Sequence, residues 1–118
     1  MSNEHKPMVV FDEEMGREYT LEFSRKTVAK AEQAGFDLNK IDTSPMTMIP
    51  LLFWSAFLMH HPYMTREQSD KILFEGLGGL SNAEIERLGD LFAVPFKTLI
   101  AMDDGEKEYP RKMTVKLD

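Results

Sequence analysis

The sequence predicts one predominantly helical α+β domain, with about four helices and a small antiparallel sheet built from an N-terminal hairpin and a C-terminal strand. Three observations predict it. Both ends of the chain alternate apolar and polar residues with period two, at Tyr19, Leu21 and Phe23 and again at Met113, Val115 and Leu117. Thr65 and Ser81 each stand three residues before a Gln or Glu, the spacing at which a hydroxyl and an acid or amide satisfy each other's orphaned helix-start amides. Ahead of both lies Thr47 to Met59, where Ser55 is the only polar side chain after Thr47. That run is too short to span a bilayer, which takes roughly 20 apolar residues, so it reads as a helix buried on most of its circumference.

Taken in order, residues 1–7 are polar and read as a flexible N-terminus. Met8 to Phe11 is an apolar run, Asp12 to Gly16 is turn-rich, and Glu18 to Phe23 alternates, which together predict a hairpin with one buried face. Ser24 suits an N-cap, Val28 and Ala31 give a stripe at helical spacing, and Gly35 suits a left-handed stop, so a first helix is expected at 25–34. Residues 36–46 carry Phe36, Leu38 and Ile41 without a period and read as an anchored loop. The second helix is expected to start at Thr47, which places Pro50 at the third helical position, where its missing amide has no intrahelical partner to lose. A start at Ser44 would instead put Pro50 inside the helix and kink it.

Pro62 predicts an end near His60. A third helix is expected at 66–77, stopped by Gly78-Gly79. The fourth carries Ile85, Leu88, Leu91, Phe92, Phe96 and Leu99 on one stripe, with a kink expected at Pro95. Residues 103–108 read as an acidic turn, and Tyr109 to Leu117 as a strand that pairs with the hairpin, because a lone strand is not stable in water. A chain of 118 residues with 42% hydrophobic content needs only one core, so 1–118 is read as a single domain.

Charge and composition narrow the chemistry. A formal net charge of −6 argues against affinity for nucleic-acid phosphates or anionic lipid. With no cysteine there is neither a disulfide framework nor a thiolate metal site. The polar N-terminus has no apolar leader core, which makes the cytoplasm the expected compartment. His60 and His61 are adjacent, so on a helix they point about 100° apart and cannot share a metal as an i, i+4 pair does. Gly76-Leu-Gly-Gly79 follows a helix rather than a strand and lacks the Lys-Ser/Thr ending of a phosphate loop. The last two helices would present Glu84 and Glu86 to DNA, the wrong sign for a recognition helix. Without paired buried carboxylates or an identifiable nucleophile, no enzyme, cofactor or metal is expected.

Several short motifs taken together carry a resemblance. They are Thr47-Met-Ile-Pro-Leu-Leu-Phe53, His60-His-Pro62, Asp70-Lys-Ile-Leu73, Leu77-Gly-Gly-Leu80, Glu86-Arg-Leu-Gly89 and Pro95-Phe96, with the lead-ins Thr20-Leu-Glu-Phe23 and Ala31-Glu-Gln-Ala-Gly-Phe36. Over roughly residues 18–100 the chain resembles the tail assembly chaperones of long-tailed bacteriophages and prophages of Gram-positive bacteria. The resemblance implies a non-catalytic protein of the bacterial cytoplasm, absent from the mature virion. Such a protein coats the tape measure protein, the long apolar helical protein that sets tail length, until tube subunits polymerise around it. Many chaperones of this class are also made in a longer, frameshifted form.

A helix apolar all round suggests that Leu51, Trp54, Phe57 and Leu58 supply both core and self-association or client contacts, and therefore a homo-oligomer. A small adaptor that docks one host or phage protein through helix 47–59 is the other reading the residues allow.

Overall fold

The structure, a computed structural model, describes residues 6–99 and 112–117. Strands β1 (Met8–Asp12) and β2 (Arg17–Leu21) form an antiparallel hairpin in which Met8 faces Leu21, Val10 faces Tyr19 and Asp12 faces Arg17. Its turn closes where Asp12 Oδ1 accepts from the amides of Glu14 and Met15 and Gly16 takes a left-handed φ of 63°. Val10 and Leu21 go into the core, while Val9 and Phe11, one residue out of phase, stay exposed.

Helix α1 (Arg25–Gln33) starts at a reciprocal cap: the amide of Thr27 donates to Ser24 Oγ and that of Ser24 to Thr27 Oγ1. A Thr hydroxyl thus fills the place usually held by Glu or Gln. The helix stops as Gly35 predicts. With φ 104° at Gly35, its amide reaches Glu32 O and that of Phe36 reaches Ala31 O, which satisfies two end carbonyls and brings Phe36 down onto Ala31. A 3-10 turn at Leu38–Lys40 follows within the loop.

Helix α2 (Pro45–Phe57) has Ser44 and not the expected Thr47 as its N-cap, a start three residues earlier, because Ser44 O already accepts from the amides of Thr47 and Met48 and Pro45 sits at the first helical position. Pro50 is therefore inside the helix and leaves Met46 O without its i+4 donor. The lost bond falls in the first turn, where Met46 is exposed. From Pro50 to Leu58 every residue except Trp54 is buried, and Ser55 Oγ donates to Leu52 O, so no polar group of this stretch is stranded.

Both expected capping boxes form: Gln68 N donates to Thr65 Oγ1 ahead of α3 (Arg66–Lys71), and Glu84 N to Ser81 Oγ ahead of α4 (Asn82–Ala93). The third helix is shorter than its sequence pattern. It loosens after Lys71 into a π turn, Ile72–Gly76, in which Leu77 N reaches back to Ile72 O, before Gly78 and Gly79 reverse the chain at φ 67° and 100°. Pro95, with no amide to give Leu91 O, ends α4 by converting it into a 3-10 turn, Val94–Thr98, rather than kinking a continuous helix.

The α+β class, with four helices and a small antiparallel sheet, is the one the sequence predicts. One component differs. Residues 112–117 form no strand, and the sheet among the described residues is β1–β2 alone. Period-two alternation fixes which side chains share a face but supplies no force that brings the segment to an edge, and in a single chain this one stays in solvent. The expected acidic turn at 103–108, residues 109–111 of the expected strand and residues 1–5 of the N-terminus lie outside the described residues. In the core, α2 is the central rod: Leu21 and Val10 of the hairpin, Val28 and Ala31 of α1, Leu88, Leu91 and Phe92 of α4 and Leu73 of the π turn pack around it.

Candidate functional site

The burial of α2 places Leu51, Phe57 and Leu58 inside the monomer. Their contacts are intramolecular: Phe57 stacks edge-on against Phe53 and Tyr19, at centroid distances of 5.0 and 5.5 Å. A partner could reach these three only by opening the domain. Trp54 is the one of the four candidates that reaches the surface, and there it is engaged. Its Nε1 donates to Met64 O at 2.9 Å, and the Arg66 guanidinium lies 5.5 Å from its ring centroid. The indole clips the 58–65 connection to α2. With these side chains committed, helix 47–59 offers no open apolar face.

Two open grooves stand out among the described residues. The first, about 610 Å³, lies between β2, the turn after α2, and α3, and is lined by Arg17, Tyr19, His61, Tyr63, Gln68 and Lys71 among others. The two histidines diverge as their adjacency requires. His60 Nε2 meets Glu22 Oε1 at 2.7 Å, while His61 Nε2 accepts from the amide of Thr20 at 3.0 Å. Accepting that bond needs a lone pair on Nε2, so His61 is neutral with its proton on Nδ1. Burial lowers its pKa, and the neighbouring His60 lowers it further. Among the described residues, no three His, Cys, Asp or Glu side chains converge to hold a metal.

The second groove, about 430 Å³, runs between the end of α1 with its following 3-10 turn and the end of α4 with the turn at Pro95. Its walls are Phe36, Leu38, Phe92 and Phe96, and its rim carries Glu32, Asp37 and Asn39. An aromatic ladder builds the floor: Phe92 stacks edge-on with Phe23 at 5.2 Å and with Phe36 at 4.9 Å, and Phe96 tilts over Phe92 at 5.8 Å. Asp37 caps the 3-10 turn through the amide of Asn39, which turns Leu38 outward beside Phe96, and both are exposed.

Apolar walls with an acidic rim suit an apolar segment flanked by basic residues, and they bring no nucleophile or acid–base pair together. The sequence reading placed Leu38 among loop anchors and Phe96 on the core stripe, and so missed both. The signal was Pro95. Once the chain leaves the 3.6-residue period there, Phe96 no longer follows the buried stripe.

No helix among the described residues is long and apolar enough to cross a membrane. A family model with the description Domain of unknown function (DUF5055) matches residues 1–117. No curated protein and no solved structure matches the chain.

Proposed function

We propose, from the premise that this chain belongs to the DUF5055 family over residues 1–117, that it is a non-catalytic phage tail assembly chaperone that binds and solubilises the tape measure protein in the bacterial cytoplasm. The resemblance of its motifs to that class names the client. The observation that carries the binding role is the open groove of Phe36, Leu38, Phe92 and Phe96 with its Glu32 and Asp37 rim.

A long apolar helical client presents repeated hydrophobic stripes, and each groove covers part of one. The rest of the bound domain, in a chain of net charge −6, then replaces aggregation-prone surface with charged surface. Burial of apolar area drives such binding, so it persists as salt is raised.

Co-expression with the cognate tape measure protein tests the reading. The expected result is a soluble complex of several copies per client that survives size exclusion in high salt, and that Leu38→Glu weakens without changing the far-UV spectrum. A client equally insoluble with and without this chain refutes it.

A further inference from the structure

The two edges of the hairpin are not equivalent. Along β2, the amide of Thr20 donates to His61 Nε2 and that of Glu22 to Ala56 O, so this edge is closed by the end of α2 and the turn after it. Because Thr20 turns its backbone away from β1, it and Val9 form a non-hydrogen-bonded pair, and the antiparallel alternation then gives the bonded pairs to Met8–Leu21 and Val10–Tyr19. The amides and carbonyls of Val9 and Phe11 therefore point out of β1 on its far side. Among the described residues, no other strand pairs there. The side chains of these two residues are also exposed, Val9 at 52% and Phe11 at 58%. An unprotected apolar edge of this kind is a template for another strand.

The chain carries a segment of matching character. Met113, Val115 and Leu117 alternate with Lys112, Thr114 and Lys116, and the three apolar side chains are 85%, 68% and 92% exposed. The charges are opposite: Lys112 and Lys116 in the tail, Asp12, Glu13 and Glu14 at the end of β1. We infer that the β1 edge is the self-association surface of this protein, and that its occupant is the 112–117 segment of a second copy, added as a third, antiparallel strand. The tail is off the sheet within one chain, which is why the donor is assigned to another.

An antiparallel register with Val115 beside Val9 puts Met113 beside Phe11 and Lys112 beside Asp12. Both apolar pairs then share a face and the one directly opposed charge pair is attractive. Each copy has one edge to fill and one tail to give, so the exchange can close as a two-fold dimer. This inference goes beyond the client-binding reading, uses a different surface, and holds or fails separately from it.

Sedimentation velocity of the full chain, from low to high micromolar concentration, tests it with two variants. Val115→Asp alters an exposed tail residue. Val9→Pro removes an outward amide and leaves the β1–β2 bonds in place, because an edge strand tolerates proline where its amide faces away from the ladder. The expected result is concentration-dependent dimerisation of the wild type, weakened at least about tenfold in each variant, with unchanged far-UV spectra and with protection of the Val9 and Phe11 amides from hydrogen exchange only in the dimer. A wild type that stays monomeric across the range overturns the inference. So does assembly of both variants at wild-type strength, or protection of those amides in the monomer, which would place the tail on its own β1.

Discussion

Replacing Trp54 by Phe tests whether the indole is a structural clip rather than a binding surface. Phe keeps an aromatic ring packed on α2 but loses the Nε1–H that donates to Met64 O at 2.9 Å. A neutral hydrogen bond contributes about 0.5–1.5 kcal/mol net, and leaving a partly buried carbonyl without its donor costs about 1–3 kcal/mol where water cannot replace it. Met64 is half-buried, so partial hydration holds the loss toward the low end. The contact of Arg66 with the ring, at 5.5 Å, is an exposed cation–π pair worth about 0.5–1 kcal/mol, and it weakens but survives on Phe.

The expected total is about 1–2 kcal/mol, a drop in Tm of roughly 4 °C or more for a domain of this size. Urea denaturation followed by far-UV circular dichroism reads it, with Arg66→Met as the control, expected to cost no more than about 1 kcal/mol. Trp54→Phe within about 0.3 kcal/mol of wild type, the size of an ordinary surface change, would refute the clip.

Other expectations follow from the core, the caps and the half-buried histidine. Leu52→Ala, at a fully buried position of α2, should lower unfolding free energy by about 2–5 kcal/mol in the same denaturation assay. Ser81→Ala and Thr65→Ala should each cost about 1 kcal/mol and loosen hydrogen-exchange protection in the first turn of their own helix only. His61, whose pKa is lowered in the folded state, binds fewer protons there than in the unfolded chain. Its contribution to stability is therefore complete above the ordinary histidine value of about 6.5 and is lost as pH falls through the lowered folded value, below which it changes no further. Arg17, Lys71 and His60 line the same groove, and His60 is the one that adds to the lowering. In urea midpoints measured across pH, His61→Gln should flatten the wild-type slope over that window, and an unchanged slope would mean that another group sets it.

The sequence by itself determined much of the local structure, though not the start of α2, the π turn after Lys71 or the 3-10 turn at Pro95. Hydroxyl-to-acid spacing at Ser81 and hydroxyl-to-amide spacing at Thr65 set two helix starts, Gly35 set a stop, and the apolar run after Thr47 announced the central helix, because these signals act through the backbone of a few neighbouring residues. Only the tertiary structure decided which apolar residues are covered. Hydropathy marks Leu51, Phe57 and Leu58 as surplus for one helix, but whether a face is surplus depends on how many other elements fold against it, and here the hairpin, α1, α3 and α4 all do.

The same holds for Leu38 and Phe96, unremarkable until the 3-10 turns at residues 38–40 and 94–98 face each other across a groove. The tail shows the limit most plainly. Alternation made 113–117 a good strand on paper, yet a strand exists only when an edge accepts it, and the position of an edge is a long-range property that no local pattern encodes.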